Sequence, residues 1–328
     1  MALLRTVLYL GLGSLVLLPA SASAPPAAIT TIACPGAAIT VVKTNDAGRG
    51  VGFYCHSVAQ CFPFGAHGFI WDGSGCEPIP GLPDGWMPVG MNDAEQVIGI
   101  HVFGSKVRGS LYRRGQVMDL LCPNTGTNKC VAFPRGINNR GQIVGYYEVE
   151  GPDSPFMWED GSYVALGELP WEWEPATVRA NGINPRGDVV GEWHGWGGDI
   201  TQGYLWPKDG APVSFGFPLG VDAPTVAKTT MPSAITPRGD MVGYFYESMS
   251  EEEASVAGGL FGPCRGFFRD RDGAMTELKV PGATYTCPLG INAAGEISGV
   301  YTTDSETTSL AEISWHGFVA KVKALVVR

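Results

Sequence analysis

The strongest constraint on this chain is a repeat. The stretch Arg135-Gly136-Ile137-Asn138-Asn139-Arg140-Gly141-Gln142-Ile143-Val144-Gly145-Tyr146-Tyr147 recurs in degraded copies at 43–54, 90–99, 182–191, 234–246 and 290–301. Marked by Asn45, Asn92, Asn138, Asn184, Thr236 and Asn292, the copies are spaced by 47, 46, 46, 52 and 56 residues. A period of that length predicts a propeller or a solenoid, because one unit cannot bury its own apolar face and must stack on its neighbours.

Each unit has the same internal order. A short run ends in small-Ile-Asn, and N-x-x-G follows, as in Asn138 to Gly141 or Asn292 to Gly295. Asn opens such a turn through its side-chain amide, and Gly closes it where φ must be positive. A β-rich run comes next, such as Ile143-Val144-Gly145-Tyr146-Tyr147, so the pair reads as a hairpin, strands A and B. After a loop of variable length a second hairpin appears. Its first strand is His67-Gly68-Phe69-Ile70-Trp71 or Gly203-Tyr204-Leu205-Trp206, and its turns include Asp72-Gly73, Asp160-Gly161, Asp209-Gly210 and Asp272-Gly273. Four strands per unit make one propeller blade, so six units predict an all-β, six-bladed β-propeller of four-stranded antiparallel blades.

The ends predict ring closure. The sixth unit has little room for its own fourth strand, whereas residues 29–37 resemble residues 275–283, which include the fourth strand of the fifth unit. The N-terminal segment is therefore expected to supply the missing strand and close the ring, pairing edges that would otherwise be exposed. The competing arrangement uses residues 321–328 instead.

The H-G-F segments at His67 and His316, alternating with G-I-N-x-x-G-x-x-V-G, resemble the extracellular HAF-repeat proteins of bacteria, over the whole chain beyond its leader. The resemblance implies an exported repeat protein with a propeller-like fold and no particular reaction. The histidine is absent from four units, so it is not a shared catalytic group.

Residues 1–22 read as a secretory signal peptide: Arg5, an apolar run from Val7 to Leu18, and an A-x-A site ending at Ala22. Residues 23–328 are expected to form a single propeller domain, with no membrane span once the signal is removed. A net charge of −10 argues against nucleic acid or an anionic membrane as partner. The reading is a protein exported to the periplasm or the medium, where eight cysteines belong in disulfides. Cys55 with Cys61, Cys122 with Cys130, and Cys264 with Cys287 fit local or antiparallel pairing; Cys34 and Cys76 suggest no evident geometry.

In a propeller the A–B and C–D turns share one face, and the B–C and D–A connections share the other. Nearly all length variation falls in the second set, so the long-loop face is the expected binding face. Residues found in most units, such as the asparagines, solve a packing problem common to all blades. Residues found once are the better site candidates. Trp171, Glu172, Trp173 and Glu174 lie in one D–A loop, and Glu192, Trp193, His194 and Trp196 in or beside the next B–C loop. Indoles beside carboxylates suit a sugar, whose C–H faces stack while its hydroxyls hydrogen-bond. Lys43 holds a position that is Gly or Ala in the other five units and needs water or an acceptor in the channel; Arg135 and Asn181 lie just upstream of that position in their own units.

No Ser-His-Asp elbow, H-E-x-x-H or phosphate loop is present. Asp270-Arg271-Asp272-Gly273 lacks the remaining ligands of a calcium loop, and the cysteine spacings are poor for zinc, so no metal or cofactor is expected. The sequence thus predicts a binding or interaction module for carbohydrate or another small polar ligand, or for a protein partner. The alternatives are a glycan-active hydrolase or lyase using Glu172, Glu174 or Glu192 as acid or base, and a structural surface protein.

Overall fold

The structure is a computed structural model. It describes residues 29–57, 61, 65–83, 85–103, 106–122, 130–149, 152–164, 166–167, 169–170, 173, 175–196, 200–219, 226–248, 262–304 and 313–326. The signal segment 1–22 therefore lies outside the described residues. No helix among them is long and apolar enough to cross a membrane.

The fold is an all-β propeller. Four antiparallel sheets have four strands each, and a fifth has eight. The first sheet contains β2 (Ile39–Thr44), β3 (Gly50–Cys55), β4 (His67–Trp71) and β5 (Cys76–Pro78). The second contains β6 (Trp86–Met91), β7 (Val97–Phe103), β8 (Lys106–Arg113) and β9 (Gln116–Asp119). The third contains β10 (Val131–Ile137), β11 (Ile143–Glu148), β12 (Ser154–Glu159) and β13 (Ser162–Val164). The large sheet joins β14 (Pro175–Ile183), β15 (Val189–Gly195), β16 (Thr201–Trp206) and β17 (Val213–Phe215) to β18 (Thr229–Ile235), β19 (Met241–Tyr246), β20 (Arg265–Arg269) and β21 (Met275–Leu278). Only one parallel pair, Thr201 with Thr229, links its two halves. The last sheet runs β1 (Ile29–Ile32), β24 (His316–Lys321), β23 (Glu296–Thr302), β22 (Tyr285–Ile291), so β1 pairs antiparallel with β24. A one-turn helix, α1 (Val322–Leu325), follows and buries Leu325.

The repeat motif explains the inner strands. Each Asn side-chain oxygen accepts backbone N–H groups of its own turn: for Asn138, those of Arg140 and Gln142, both at 3.0 Å. Gly141 closes that turn with φ +79°. The same asparagines join the sheets. Asn45 Nδ2 donates to the Asn92 carbonyl, Asn92 to that of Asn138, Asn138 to Asn184, Asn184 to Thr236, and Asn292 to Asn45, at 2.9–3.3 Å. Thr236 has no amide to continue the series.

The first strands of five units, β6, β10, β14, β18 and β22, carry a β-bulge whose extra residue is Val89, Arg135, Asn181, Ser233 and Leu289 respectively. In β2 the register is unbroken, and Lys43 pairs with Val51. With or without the bulge, a strand-A carbonyl lies over the glycine of the V-G pair: a Cβ on Gly145 would land on the Phe133 carbonyl and one on Gly52 on the Val41 carbonyl. That is why the glycine of G-x-x-V-G recurs.

Four disulfides form, and no described cysteine is free. Three are the expected pairs, Cys55–Cys61, Cys122–Cys130 and Cys264–Cys287. The fourth joins Cys34 to Cys76, a pairing the sequence did not suggest. Its partners are distant in sequence, and they meet only because β1 joins the last sheet and delivers Cys34 beside β5 of the first.

Candidate functional site in the central channel

The bulges set the chemistry of the channel. An extra residue in the innermost strand is expelled from the ladder, and that residue is polar in β10, β14 and β18, with the longer side chains in the first two. The Arg135 Nη2 donates to the Tyr146 hydroxyl at 3.1 Å, while its Nε is buried without an acceptor. Asn181 donates through Nδ2 to the Pro232 carbonyl at 3.0 Å and to the Glu192 carboxylate. Burial works against the charge on Arg135, but Tyr146, Glu192 and Tyr244 outweigh it and hold the guanidinium above its ordinary pKa.

A second layer lies toward the long-loop face. Arg179, opposite Glu192 in the β14–β15 ladder, donates from Nε to Asp153 Oδ2 at 2.7 Å. Both guanidiniums contact the Tyr146 ring, Arg135 at 5.3 Å and Arg179 at 4.9 Å from its centroid, and the ring also stacks on Phe133 at 5.1 Å. The Tyr204 hydroxyl donates to the Arg179 carbonyl at 3.0 Å; burial, with Glu192 nearby, pushes its pKa well up. At the end of β11, Glu148 is exposed, and partial desolvation with Asp153 nearby raises its pKa against the pull of Arg179 and Arg135. Tyr146, Asp153, Arg179 and Tyr204 were not singled out in the sequence. Only the position of Arg135 and Asn181 in the repeat hinted at this cluster.

Lys43 occupies a different level. Its Nζ donates to the Arg135 carbonyl at 3.2 Å, and it has no carboxylate partner among the described residues. Burial, with Arg135 alongside, lowers its pKa from 10.5 to about 8. It is half-buried, and it lines a cavity of about 70 Å3 bordered by the turn residues Asp46, Asn139, Pro185 and Pro237. That cavity opens at the short-turn mouth.

The tryptophan candidates separate. Trp171, Glu172 and Glu174 lie outside the described residues. Trp173 and Trp193 do meet, stacked at 5.8 Å, but both pack against the cluster formed by Leu169, Ala180, Tyr204 and their neighbours. Trp193 Nε1 donates to Ser214 Oγ at 2.8 Å. Glu192, Trp193 and His194 are not loop residues, because β15 continues its pairing with the long β14 as far as Gly195. Glu192 is 1% exposed, so it does not sit beside an open indole as the sequence suggested. His194 Nδ1 lies 3.4 Å from Thr201 Oγ1 within the sheet. Trp196, at the end of β15, is 74% exposed. Among the described residues, no three of His, Cys, Asp or Glu converge as metal ligands.

No protein-family model matches the sequence, and no curated protein matches it. Solved structures do. The SapL1 lectin in complex with alpha methyl fucoside is similar at 8% identity and a TM-score of 0.47, over 86% of this chain and 94% of that one. The calcium-binding protein regucalcin from Agrobacterium tumefaciens is 12% identical with a TM-score of 0.46, over 90% and 92%. A putative gluconolactonase is 11% identical with a TM-score of 0.47, over 90% and 93%. Likeness of this degree carries nothing about the ligand of this chain, which rests on its own residues.

Proposed function

We propose that this chain is an exported binding module that takes a small polar ligand, carbohydrate being the class that fits best, through the long-loop mouth of its channel. In this reading the propeller has six blades. The eight-stranded sheet counts as two, since a single parallel pair joins its halves, and β1 completes the last blade and closes the ring. Four disulfides suit an oxidising compartment.

The observation that carries the proposal is Arg135, a channel guanidinium with a buried Nε that lacks an acceptor. Buried donors without partners are rare, and a ligand hydroxyl is a fitting acceptor. Glu192, bonded to Asn181, adds negative charge that favours the guanidinium, and the exposed Trp196 offers a stacking face at the rim. The test is a glycan panel against wild type, Arg135→Gln and Trp196→Ala, with folding checked by circular dichroism. Saturable binding weakened at least tenfold by either change supports the site. Binding unchanged in both variants, or no binding by wild type, overturns it.

One observation favours the enzymatic alternative. Glu148 is an exposed carboxyl whose pKa is raised beside Asp153, and two carboxyls near the channel mouth are the groups an acid-base pair would use. Turnover of a polysaccharide abolished by Glu148→Gln would establish that reading; activity retained in that variant would remove Glu148 from it.

A further inference from the structure

The short-turn mouth of the channel forms a separate compartment. Its wall combines a collar made by the last residue of each first strand, Met91, Ile137, Ile183, Ile235 and Ile291 with Thr44 in the sixth position, with polar turn residues such as Asn45, Asp46 and Asn139. Below the collar the inner strands come very close. A Cβ on Gly182 would lie 3.0 Å from both the Ala234 Cα and the Ser233 carbonyl oxygen, and one on Gly290 would lie 2.8 Å from Lys43 Cγ. Crowding of this kind holds the level to Gly90, Gly136, Gly182, Ala234 and Gly290 in five strands, and Lys43 is the one long side chain there. Its ammonium has three N–H donors and one protein acceptor, the Arg135 carbonyl.

We infer that this mouth binds a small aliphatic monocarboxylate, its carboxylate on the Lys43 ammonium and its hydrocarbon end against the isoleucine collar. The chemistry is that of the lining. A cation with no carboxylate partner among the described residues favours a ligand with a single negative end, and the collar residues beside it leave contact for a short hydrocarbon body. A cavity of about 70 Å3 has room for a ligand of a few non-hydrogen atoms. The rim does not supply the missing anion: the Asp46 carboxylate already accepts from the Ala293 N–H at 2.7 Å and from Asn139 Nδ2 at 3.2 Å.

The groups facing Lys43 are few. Arg135 comes from β10 and Asp46 from the turn after β2, while β6, β14, β18 and β22 present Gly90, Gly182, Ala234 and Gly290 and bring no charge. Binding should therefore follow the protonation of Lys43.

The experiment is calorimetric titration of the folded protein with acetate, propionate and isobutyrate, and with isobutyramide as a neutral probe of the same shape, against wild type and Lys43→Met. The expected result is saturable binding of the branched acid, at least tenfold tighter than the amide and absent in Lys43→Met. Its affinity should be flat below pH 7 and fall about tenfold between pH 8.5 and 9.5, above the Lys43 pKa of about 8. Equal binding of acid and amide, no binding of any acid, or a pH-independent affinity would each overturn the inference. The last comparison needs only wild type, so it decides the matter even if Lys43→Met fails to fold. The inference stands apart from the proposed long-loop site, since Trp196→Ala at the opposite mouth should leave isobutyrate binding unchanged.

Discussion

The side-chain amide of Asn292 donates to the backbone carbonyl of Asn45 at 3.2 Å, joining the last sheet to the first with the same contact that joins most of the other neighbours. Residues 247 apart in sequence thus make the bond that Asn92 and Asn138 make 46 apart. The motif asparagine therefore does two jobs: its oxygen shapes the local turn, and its nitrogen holds the next sheet.

That division gives a first prediction. Asn138→Ala removes acceptors for two turn N–H groups and the donor to the Asn184 carbonyl, all at a buried position. The expected loss is about 2–4 kcal/mol, because the abandoned backbone groups stay buried. Thr236→Asn should act in the opposite sense, restoring the missing donor toward the Asn292 carbonyl and adding about 1 kcal/mol. Urea unfolding of both variants measures this. A Thr236→Asn protein no more stable than wild type would mean that the fifth turn cannot place the amide.

Lys43 gives a second. Its pKa in the folded protein, about 8, lies below the ordinary 10.5, so between those values the unfolded chain holds more protons than the folded one. Stability should therefore rise with pH from 8 to 10.5 by up to roughly 3 kcal/mol from this residue. Below pH 8 both states are protonated, and the penalty for burying the charge is constant. The difference in unfolding free energy between wild type and Lys43→Met, followed from pH 6 to 10, isolates that slope; a flat difference would place the amine in contact with bulk water.

The disulfides should differ in worth according to the loops they close. Cys34–Cys76 spans 42 residues and Cys55–Cys61 spans 6. On the chain-entropy account the first contributes about 4 kcal/mol and the second about 2. Paired Cys-to-Ser variants compared by urea unfolding should preserve that order. The reverse order would indicate that the short loop is rigid even without its bridge.

Gly145→Ala should be among the most disruptive single-methyl changes in the chain, because the new Cβ collides with the Phe133 carbonyl in the ladder itself. A loss of about 3 kcal/mol or more in thermal unfolding is expected. Gly73→Ala meets no atom within 4 Å and is strained only through its φ of +105°, so it should cost less, about 1–2 kcal/mol.

Much of the fold was legible because a repeat states the same packing solution several times. The asparagine, the turn glycine and the V-G glycine each answer a backbone demand that recurs in every unit, so they stand out by position alone. Three of the four disulfides were legible because their partners are neighbours along the chain or across a hairpin. Cys34–Cys76 was not, since it depends on β1 joining the far end of the molecule. The site was less readable. Arg135 and Lys43 could be marked as departures from the repeat, but Arg179, Tyr146 and Asp153 sit at positions with no such contrast, and only the folded channel brings them together. Glu192 misled for a related reason: β14 and β15 pair further than the motif implies, turning an apparent loop carboxylate into a buried strand residue.

The break in the asparagine series at Thr236 falls between β18 and β22, and Cys264–Cys287 bridges the sheets on either side of that gap. Where every other joint carries an amide latch, this one substitutes a covalent bond. Reduction therefore acts unevenly on the propeller: cleaving that one disulfide would leave the joint between β18 and β22 with neither latch nor bridge. That joint is a clasp whose fastening is redox-dependent, sound in an oxidising medium and the weakest place in a reducing one.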